Sequence, residues 1–448
     1  MPRKAKAPLS QPIFGEPVFN EGVATPDPTQ FHITPNDNKF YTKEVNALVK
    51  TEVVSFPKST AKDGDLYPLT EAWGPHGSDV LNSINAAQCI TFHMIGDSGA
   101  TAQSTFPAMI KVSDAVTNDF HTSSAANRPS FLYHLGDVVY NFGESTYYYD
   151  EFYEPYRNYP APIFAIPGNH DSFVLPNTPK GQEPLTTFMR NFCGPSLVVT
   201  KEAGSLHRTC ITAPGVYFAL DAPFVRIIGL FSNALEDPGV ISSETTKGKA
   251  KWPAVPDYQL SFLTAQLQNI KSTNYKGAVI LAVHHPPFSY APQSGAAGGG
   301  KHPGNSVMLG QIDAICKQTG VYPHAFISGH AHNYQRFTRS ITFGAKNYSV
   351  PFIVCGDSGH NVDKLVRPTN GSTPSEPGPN APVKYLDVNP QVTATNLVIN
   401  QHDDVNSGFL RVSATAAKLT ITFNPVSRTG GAVKPDTVTV DLATHTAA

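Results

Sequence analysis

Six short apolar runs, each ending in a polar or glycine-rich turn, constrain the fold of this chain more than any other feature. From residue 89 onward they read CITFHMIGD, FLYHLGD, IFAIPGNHD, AVILAVHH, HAFISGHAH and FIVCGD. Runs of four to eight residues rich in Ile, Val and Phe are typical of buried strands. Apolar residues at helical spacing over 106–120 and after Asp257, a candidate N-cap, predict helices between them. The alternation of strand and helix predicts an α/β fold.

The regions that flank these runs differ from them in amino-acid composition. Residues 1–88 are rich in Pro, Asn and Thr and predict an N-terminal extended arm or small irregular subdomain. Residues 89–448 then form one catalytic domain, with a long polar loop insertion at about 361–405. The tail alternates in GFLRVSATAAKLTITFNP and DTVTVDL, which predicts antiparallel strands that close the domain.

Charge and hydropathy limit the partners of the chain. Its 33 basic and 35 acidic side chains nearly balance, so nucleic acid is not expected as a partner. No stretch reaches the roughly 18 apolar residues of a membrane span, and the start lacks the apolar core of a signal peptide. We expect a cytoplasmic protein as written, or a secreted or periplasmic one if a leader is missing from this chain. The sequence leaves its oligomeric state open.

The five cysteines suggest no metal site or redox motif, because none of them has CxxC spacing. Cys193 and Cys210 could close a short loop, but free buried thiols are the favoured interpretation.

The tetrapeptide GDSG occurs twice, at 96–99 and at 356–359. It resembles the serine-protease motif, and a serine hydrolase centred on Ser358 is therefore one alternative. That motif needs a further glycine for its oxyanion turn, whereas Ala100 and His360 follow the two copies. We predict that the first copy acts through Asp97, and that Asp357 and His360 of the second region are turn or rim residues.

Side chains able to bind a metal or move a proton follow five of the predicted strands. In open α/β sheets such strand ends lie where ligands bind. Two histidines inside the runs, His93 and His134, are interpreted instead as hydrogen-bonded core residues. The strand-end residues are Asp97, Asp137, Tyr140, Asn169, His170, His284, His330 and His332.

These residues resemble the calcineurin-like metallophosphoesterases and, within them, the purple acid phosphatases. The resemblance covers about 90–360 and rests on the turns at 97–99, 136–140, 168–171 and 329–332 and on His284. It implies a β-sandwich flanked by helices, an α/β/β/α arrangement. Most branches carry a histidine where Gly99 stands and an aspartate where Tyr140 stands. The paired change is typical of the purple acid phosphatase branch.

The resemblance implies a two-metal centre bridged by Asp137. The first ion would be Fe³⁺, since carboxylates and a tyrosinate suit a hard trivalent cation, and the second a divalent ion, Fe²⁺, Zn²⁺ or Mn²⁺. The implied first-site ligands besides Asp137 are Asp97, Tyr140 and His332. The implied second-site ligands are Asn169, His284 and His330.

The implied reaction is hydrolysis of a phosphomonoester, in which a metal-bound hydroxide attacks phosphorus in line and inorganic phosphate is released. The resemblance implies catalytic histidines outside the ligand set, one of which serves as general acid. His170 is one of them, with Asp171 placed to orient it, and the identity of the general acid is left open. A second catalytic histidine is His285 or His302, of which we favour His302 because it lies in a glycine-rich loop. Phosphodiester or phospholipid hydrolysis at the same centre is the alternative. A non-catalytic binding protein is disfavoured because the set of ligands is intact.

Overall fold

The computed structural model describes residues 57–100, 105–140, 142–172, 185–232, 239–242, 257–290, 302, 304, 306–365, 381–382 and 396–448. Most of the predicted arm, residues 1–56, lies outside the described residues, as does most of the predicted loop at 361–405. The division of the chain into arm and catalytic domain therefore stays a prediction.

Six α-helices and sixteen strands occur in the described part of the chain. The helices are α1 (Leu69–Ala72), α2 (Gly77–Ala87), α3 (Phe106–Thr122), α4 (Thr186–Phe192), α5 (Tyr258–Ser272) and α6 (Ser306–Thr319). The first eight strands are β1 (Tyr67–Pro68), β2 (Ile90–Ile95), β3 (Pro129–His134), β4 (Ile163–Ala165), β5 (Phe218–Ala222), β6 (Val225–Leu230), β7 (Ala278–Val283) and β8 (Ala325–Ser328). The last eight are β9 (Tyr334–Phe343), β10 (Lys346–Cys355), β11 (Ala381–Pro382), β12 (Leu397–Asp403), β13 (Ser407–Ala414), β14 (Lys418–Val426), β15 (Asp436–Asp441) and β16 (Thr446–Ala447).

The strands form one large curled sheet. Its order is β1-β5-β6-β7-β8-β10-β16-β15-β14-β13-β2-β3-β4, and β9, β11 and β12 extend it beside β10. The runs that carry the predicted site pair in parallel. In one half β3 pairs with β2 and β4, and in the other β7 pairs with β6 and β8. The tail strands β13, β14 and β15 pair antiparallel, which confirms the prediction for the tail.

Aromatic side chains pack the two halves of the curled sheet against each other. The Phe218 ring of β5 lies 6.0 Å from that of Tyr133 on β3 and 6.4 Å from that of Phe164 on β4, between ring centroids. Strands β2, β3, β7 and β8 are buried along their whole length. Burial on both faces explains why these strands read as continuous apolar runs in the sequence.

Helices flank the sheet, so the predicted α/β class is confirmed. Helix α3 covers β13 and β14, and α5 packs on β6 and on α6. Asp257 takes the predicted N-cap position of α5, although its carboxylate makes no capping hydrogen bond to the helix. None of the helices in the described ranges has the length and apolarity that crossing a bilayer requires.

Two elements differ from the sequence-based expectation. Residues 57–88 contain α1 and α2, and β1 pairs in parallel with β5, so this part of the predicted irregular arm is joined to the sheet. Helix α2 could not be predicted from apolar residues at helical spacing, because its buried residues are only Gly77 and Ile84. Strand β12, predicted as loop, pairs with β9, and its buried Leu397 and Ile399 alternate with less buried residues.

All five cysteines are free, as favoured from the sequence, and Cys193 and Cys210 do not form a disulfide. His93 is fully buried between the Tyr159 hydroxyl, at 3.0 Å, and the Asp119 carboxylate, at 2.8 Å. It is the hydrogen-bonded core residue that the sequence predicts.

Candidate metal centre

The carboxyl ends of β2, β3, β7 and β8 meet at one edge and are linked through their backbones. The Asp97 N–H donates to the Gly136 carbonyl at 3.0 Å, which joins the turns after β2 and β3. The Gly329 N–H donates to the His284 carbonyl at 3.0 Å, which joins the turns after β8 and β7. Side chains that are far apart in sequence therefore converge here.

The first group of converging side chains surrounds the Tyr140 hydroxyl. This hydroxyl lies 3.2 Å from Asp97 Oδ1 and 3.1 Å from Asp137 Oδ2, and its single proton can be donated to either carboxylate. His332 Nε2 lies 3.4 Å from the same hydroxyl and 3.5 Å from Asp97 Oδ1. These four buried residues are the ones that the sequence assigns to the first ion.

The second group surrounds the side-chain oxygen of Asn169. Its Oδ1 lies 3.0 Å from His284 Nε2 and 3.0 Å from His330 Nδ1. Asp137 Oδ2 lies 3.3 Å from His284 Nε2, and Asp137, His284 and His330 each offer a ligand atom within 4.8 Å of the others. Asp137 therefore belongs to both groups, which is the position required of a bridging ligand.

Three of these residues have left-handed backbone conformations that side chains other than glycine adopt rarely. The φ angles are 55° at Asp97, 53° at Asp137 and 67° at His330. Each such residue costs on the order of 1–3 kcal/mol, and such conformations concentrate at functional sites. Contacts across the site hold them, for example the His330 N–H that donates to Asp97 Oδ2 at 2.9 Å.

The turn after β4 approaches the bridging carboxylate so closely that only glycine fits at position 168. A Cβ added to Gly168 would lie 2.0 Å from Asp137 Oδ1. The neighbouring His170 N–H donates to that same oxygen at 2.9 Å. Backbone contact with Asp137 thus sets the direction of its carboxylate.

Glycine at position 99, where most branches carry a histidine, and tyrosine at position 140 depend on each other sterically. A Cβ at Gly99 would lie 3.0 Å from Tyr140 Cδ2 and 2.4 Å from Glu151 Oε2. Glu151 is itself buried and accepts the Tyr140 N–H at 2.9 Å. The tyrosine ring and Glu151 therefore occupy the room that a side chain at position 99 would need.

The electrostatics of the site favour positive charge. Burial disfavours the charged imidazole of His284, but the carboxylates of Asp137 and Asp97 outweigh it and raise the pKa of His284 to about 9. Burial and the same carboxylates raise the pKa of the Tyr140 phenol well above its usual value. Burial and neighbouring imidazoles lower the pKa of His330, so its ring is neutral and available as a ligand. Carboxylates that stabilise a proton on His284 will also stabilise a metal cation in its place.

His170 and Asp171 are adjacent but have different environments. The partly exposed His170 ring packs 4.3 Å from the Tyr140 ring, between centroids. The buried Asp171 carboxylate accepts the N–H groups of Gly168 at 2.9 Å, Val138 at 3.1 Å and Val139 at 3.3 Å. In this tight turn the Asp171 carboxylate is directed toward the backbone, and the predicted orientation of His170 by Asp171 stays a prediction. Asp171 joins the turns after β3 and β4.

The two candidates for the second catalytic histidine both lie beside His330. The His285 ring is 4.0 Å from the His330 ring and its Nδ1 is 2.7 Å from Ser232 Oγ. His302 Nδ1 lies 3.0 Å from His330 Nε2, and its ring is 5.1 Å from that of His332. The structure therefore brings His302 to the centre despite its distance in sequence.

Neither copy of GDSG supplies a nucleophilic serine. Ser358 is fully buried, and its hydroxyl donates to the Gly408 carbonyl at 2.8 Å. Ser98 is 2.8 Å from His134 Nε2, but His134 Nδ1 accepts the Gly136 N–H at 3.1 Å. His134 Nε2 therefore carries the proton and cannot act as a base toward Ser98. The serine hydrolase alternative at Ser358 is wrong because its hydroxyl is buried and bonded to the backbone.

Sequence reasoning missed the contacts that His360 and Asp363 make with the first group of side chains. Asp357 and His360 lie in a turn as predicted, but both are buried rather than at a rim. The His360 ring stacks on Tyr140 at 4.1 Å, and Asp363 Oδ2 lies 3.7 Å from His332 Nδ1. The one available signal in the sequence was that His360 and Asp363 closely follow the turn at the end of β10.

Comparison with protein families matches residues 90–334 to the calcineurin-like phosphoesterase model, which is more than half of the chain. The chain belongs to the calcineurin-like phosphoesterase family. This family implies metal-dependent hydrolysis of phosphoesters, typically with two bound metal ions. The two groups of side chains that share Asp137 are candidate ligands for such ions in this member.

The solved structures to which this phosphoesterase is similar include the two that follow, and no curated protein matches it. GAP50, the anchor in the inner membrane complex of Plasmodium, is 11% identical, with a TM-score of 0.47 over 78% of this chain and 88% of that one. The structure of PhoD is 11% identical, with a TM-score of 0.47 over 80% of this chain and 70% of that one.

Proposed function

We propose that this phosphoesterase is a phosphatase of the purple acid phosphatase type, which hydrolyses phosphomonoesters with Fe³⁺ in the first site and Fe²⁺, Zn²⁺ or Mn²⁺ in the second. The observation that carries the proposal is the Tyr140 hydroxyl, which lies 3.2 Å from Asp97 and 3.1 Å from Asp137 in the room beside Gly99.

The donor atoms of the two groups fit two different ions. Two carboxylates and a phenol oxygen suit a hard trivalent ion, whereas an amide oxygen and two imidazoles suit a divalent one. Two bound ions would neutralise and orient a phosphate ester and lower the pKa of water. The first group comprises Asp97, Asp137, Tyr140 and His332, and the second comprises Asn169, His284, His330 and the shared Asp137.

Hydrogen bonding at His330 supports His302 as the proton donor to the leaving alcohol. When His330 Nδ1, which lies 3.0 Å from Asn169 Oδ1, binds the second ion, its Nε2 carries the proton. That N–H donates to His302 Nδ1 at 3.0 Å. Nε2 of neutral His302 then carries a proton and can donate a hydrogen bond to the leaving oxygen, and full proton transfer requires the imidazolium form because a neutral imidazole is a very weak acid.

His170 is the second candidate for contact with the substrate. Its ring is partly exposed beside Tyr140, while its backbone N–H is fixed by Asp137 at 2.9 Å. A ring in this position beside the first ligand group can donate a hydrogen bond to a phosphate oxygen or to the leaving group.

Leaving-group dependence distinguishes the two histidines. A variant that lacks the general acid should lose far more activity on an alkyl phosphate than on 4-nitrophenyl phosphate, whose phenolate leaves without protonation. We expect this difference for His302→Gln and a loss of similar size on both substrates for His170→Ala. A uniform loss in His302→Gln would exclude His302 as the acid.

The colour of the protein tests the iron assignment. A phenol ionises at neutral pH only beside a strong cation, and ferric phenolate absorbs visible light. Iron-loaded, oxidised protein should be violet or pink, and Tyr140→Phe should be colourless while it still binds metal. A colourless wild-type protein that contains ferric iron would contradict ligation by Tyr140.

The substrate class is tested by comparing phosphomonoesters, phosphodiesters and pyrophosphate under one set of conditions. The proposal predicts the highest kcat/KM on monoesters. A preference for diesters or phospholipids would keep the two-metal centre and overturn the monoester assignment.

A further inference from the structure

The short segment at residues 360–363 follows β10 and lies against the first ligand group. The His360 N–H donates to the Asp97 carbonyl at 3.0 Å. The His360 ring lies parallel to that of Tyr140, with 4.1 Å between centroids and 10° between planes, and its Nδ1 is 3.1 Å from the Gly99 carbonyl. One residue thus contacts two first-group ligands, at the backbone of Asp97 and at the ring of Tyr140.

Asp363 contacts the third ligand of the same group. Its N–H donates to the His332 carbonyl at 2.7 Å, and its carboxylate Oδ2 lies 3.7 Å from His332 Nδ1. At 3.7 Å this contact has the length of an ion pair rather than of a hydrogen bond. A carboxylate beside the far nitrogen of a metal-binding histidine favours the tautomer that carries its proton there and makes the ring a better ligand.

The Asp363 carboxylate completes the first group rather than forming another metal site. Ligand atoms of His302, His332 and Asp363 do lie within 4.8 Å of one another. However, His332 offers Nε2 to the first group, 3.5 Å from Asp97 Oδ1. Its Nδ1 therefore carries the proton and faces Asp363, so it cannot bind a further cation.

The segment is also anchored by residues that belong to neither ligand group. Asp404 accepts the Leu365 N–H at 3.0 Å and pairs with Lys364 at 3.2 Å. The Arg428 guanidinium donates to the His360 carbonyl at 3.1 Å. These contacts hold the segment in place independently of its contacts to the ligands.

We propose that His360 and Asp363 are positioning residues for the first ion, because together they contact Asp97, Tyr140 and His332. This inference rests on the proposed two-ion centre. The second group has other supports, since His284 Nδ1 bonds the Leu135 carbonyl at 2.9 Å and His330 Nε2 bonds His302. Loss of His360 or Asp363 should therefore weaken the first site selectively.

The test measures metal affinity, with chelator competition and metal analysis, in two backgrounds that each retain one site. Asn169→Ala removes the second site and Asp97→Ala removes the first. Outer-sphere partners of metal-binding histidines typically contribute 10–100-fold in affinity. In the Asn169→Ala background, we expect Asp363→Asn and His360→Ala each to weaken binding by about that factor. In the Asp97→Ala background, both changes should leave binding unaltered.

Two controls separate positioning from folding. Asp114→Asn makes the same chemical change at an exposed position of α3 and should alter neither site. His360→Phe keeps a ring that can stack on Tyr140 and should retain more first-site affinity than His360→Ala. Without metal, Asp363→Asn and His360→Phe should melt at the same temperature as the control, whereas His360→Ala should melt lower because it leaves a cavity in place of a buried ring.

Results that would refute the positioning role differ from those that would refute the proposed two-ion centre. Equal weakening of both sites, or no weakening of the first, would overturn the positioning role while the two-ion centre remains. A wild-type protein that binds no metal would instead refute the centre itself.

Discussion

Replacement of Asp171 by alanine tests whether this buried carboxylate acts on the fold or on catalysis. The side chain accepts three backbone N–H groups, from Gly168, Val138 and Val139, at 2.9 to 3.3 Å. Leaving a buried donor without a partner costs about 1–3 kcal/mol. The Val139 bond is long and contributes least, so we expect Asp171→Ala to lower the free energy of unfolding by on the order of 4 kcal/mol.

That loss is a large share of the roughly 5–15 kcal/mol that stabilises a typical domain. Asp171→Asn keeps the shape and one acceptor oxygen and should lose about half as much. His170→Ala removes a partly exposed ring, so it should cost little stability and reduce turnover by roughly 10²–10⁴. Urea titration of the metal-free proteins and turnover of the metal-loaded ones measure both effects. An Asp171→Ala protein as stable as wild type but as slow as His170→Ala would show that the carboxylate acts through His170.

Gly168→Ala should destabilise the protein by several kcal/mol, because the new Cβ would lie 2.0 Å from Asp137 Oδ1. Gly64→Ala is the neutral control, because a Cβ there would have no atom within 4 Å. Equal urea midpoints for the two variants would contradict this prediction. Metal analysis of Asn169→Ala should find about one ion per chain instead of two, and retention of both would refute its role as ligand. Stability should fall from pH 6.5 to 4, because burial lowers the pKa of His324 to about 4 and the unfolded chain then binds a proton that the folded chain excludes. The loss approaches about 3 kcal/mol at pH 4, and His324→Gln should show a smaller loss in the same pH titration.

The strands and the two ligand groups could be predicted from sequence because each depends on local pattern. A buried strand reads as an apolar run, and the side chain that follows it must lie at the edge of the sheet. Asp97, Asp137, Asn169, His284 and His330 all follow such runs directly, and the structure brings them together.

The contacts around those ligands could not be predicted, because they depend on side-chain direction and on long-range packing. Asp171 and His170 are neighbours in sequence, yet one carboxylate turns toward the backbone and one ring toward Tyr140. His360 reaches Asp97 and Tyr140 only because β10 returns to the same edge of the sheet. The polar strand β12 could not be predicted because its alternation of buried and less buried residues is short and the residues on either side of it have the composition of a loop.

Metal analysis of protein purified without added metal tests the central claim most directly. The two ligand groups that share Asp137 predict close to two ions per chain, iron among them, and loss of phosphoester hydrolysis when a chelator removes them. Restoring the ions should restore both the metal content and the activity. Full hydrolytic activity in a preparation shown to contain no metal would contradict the account.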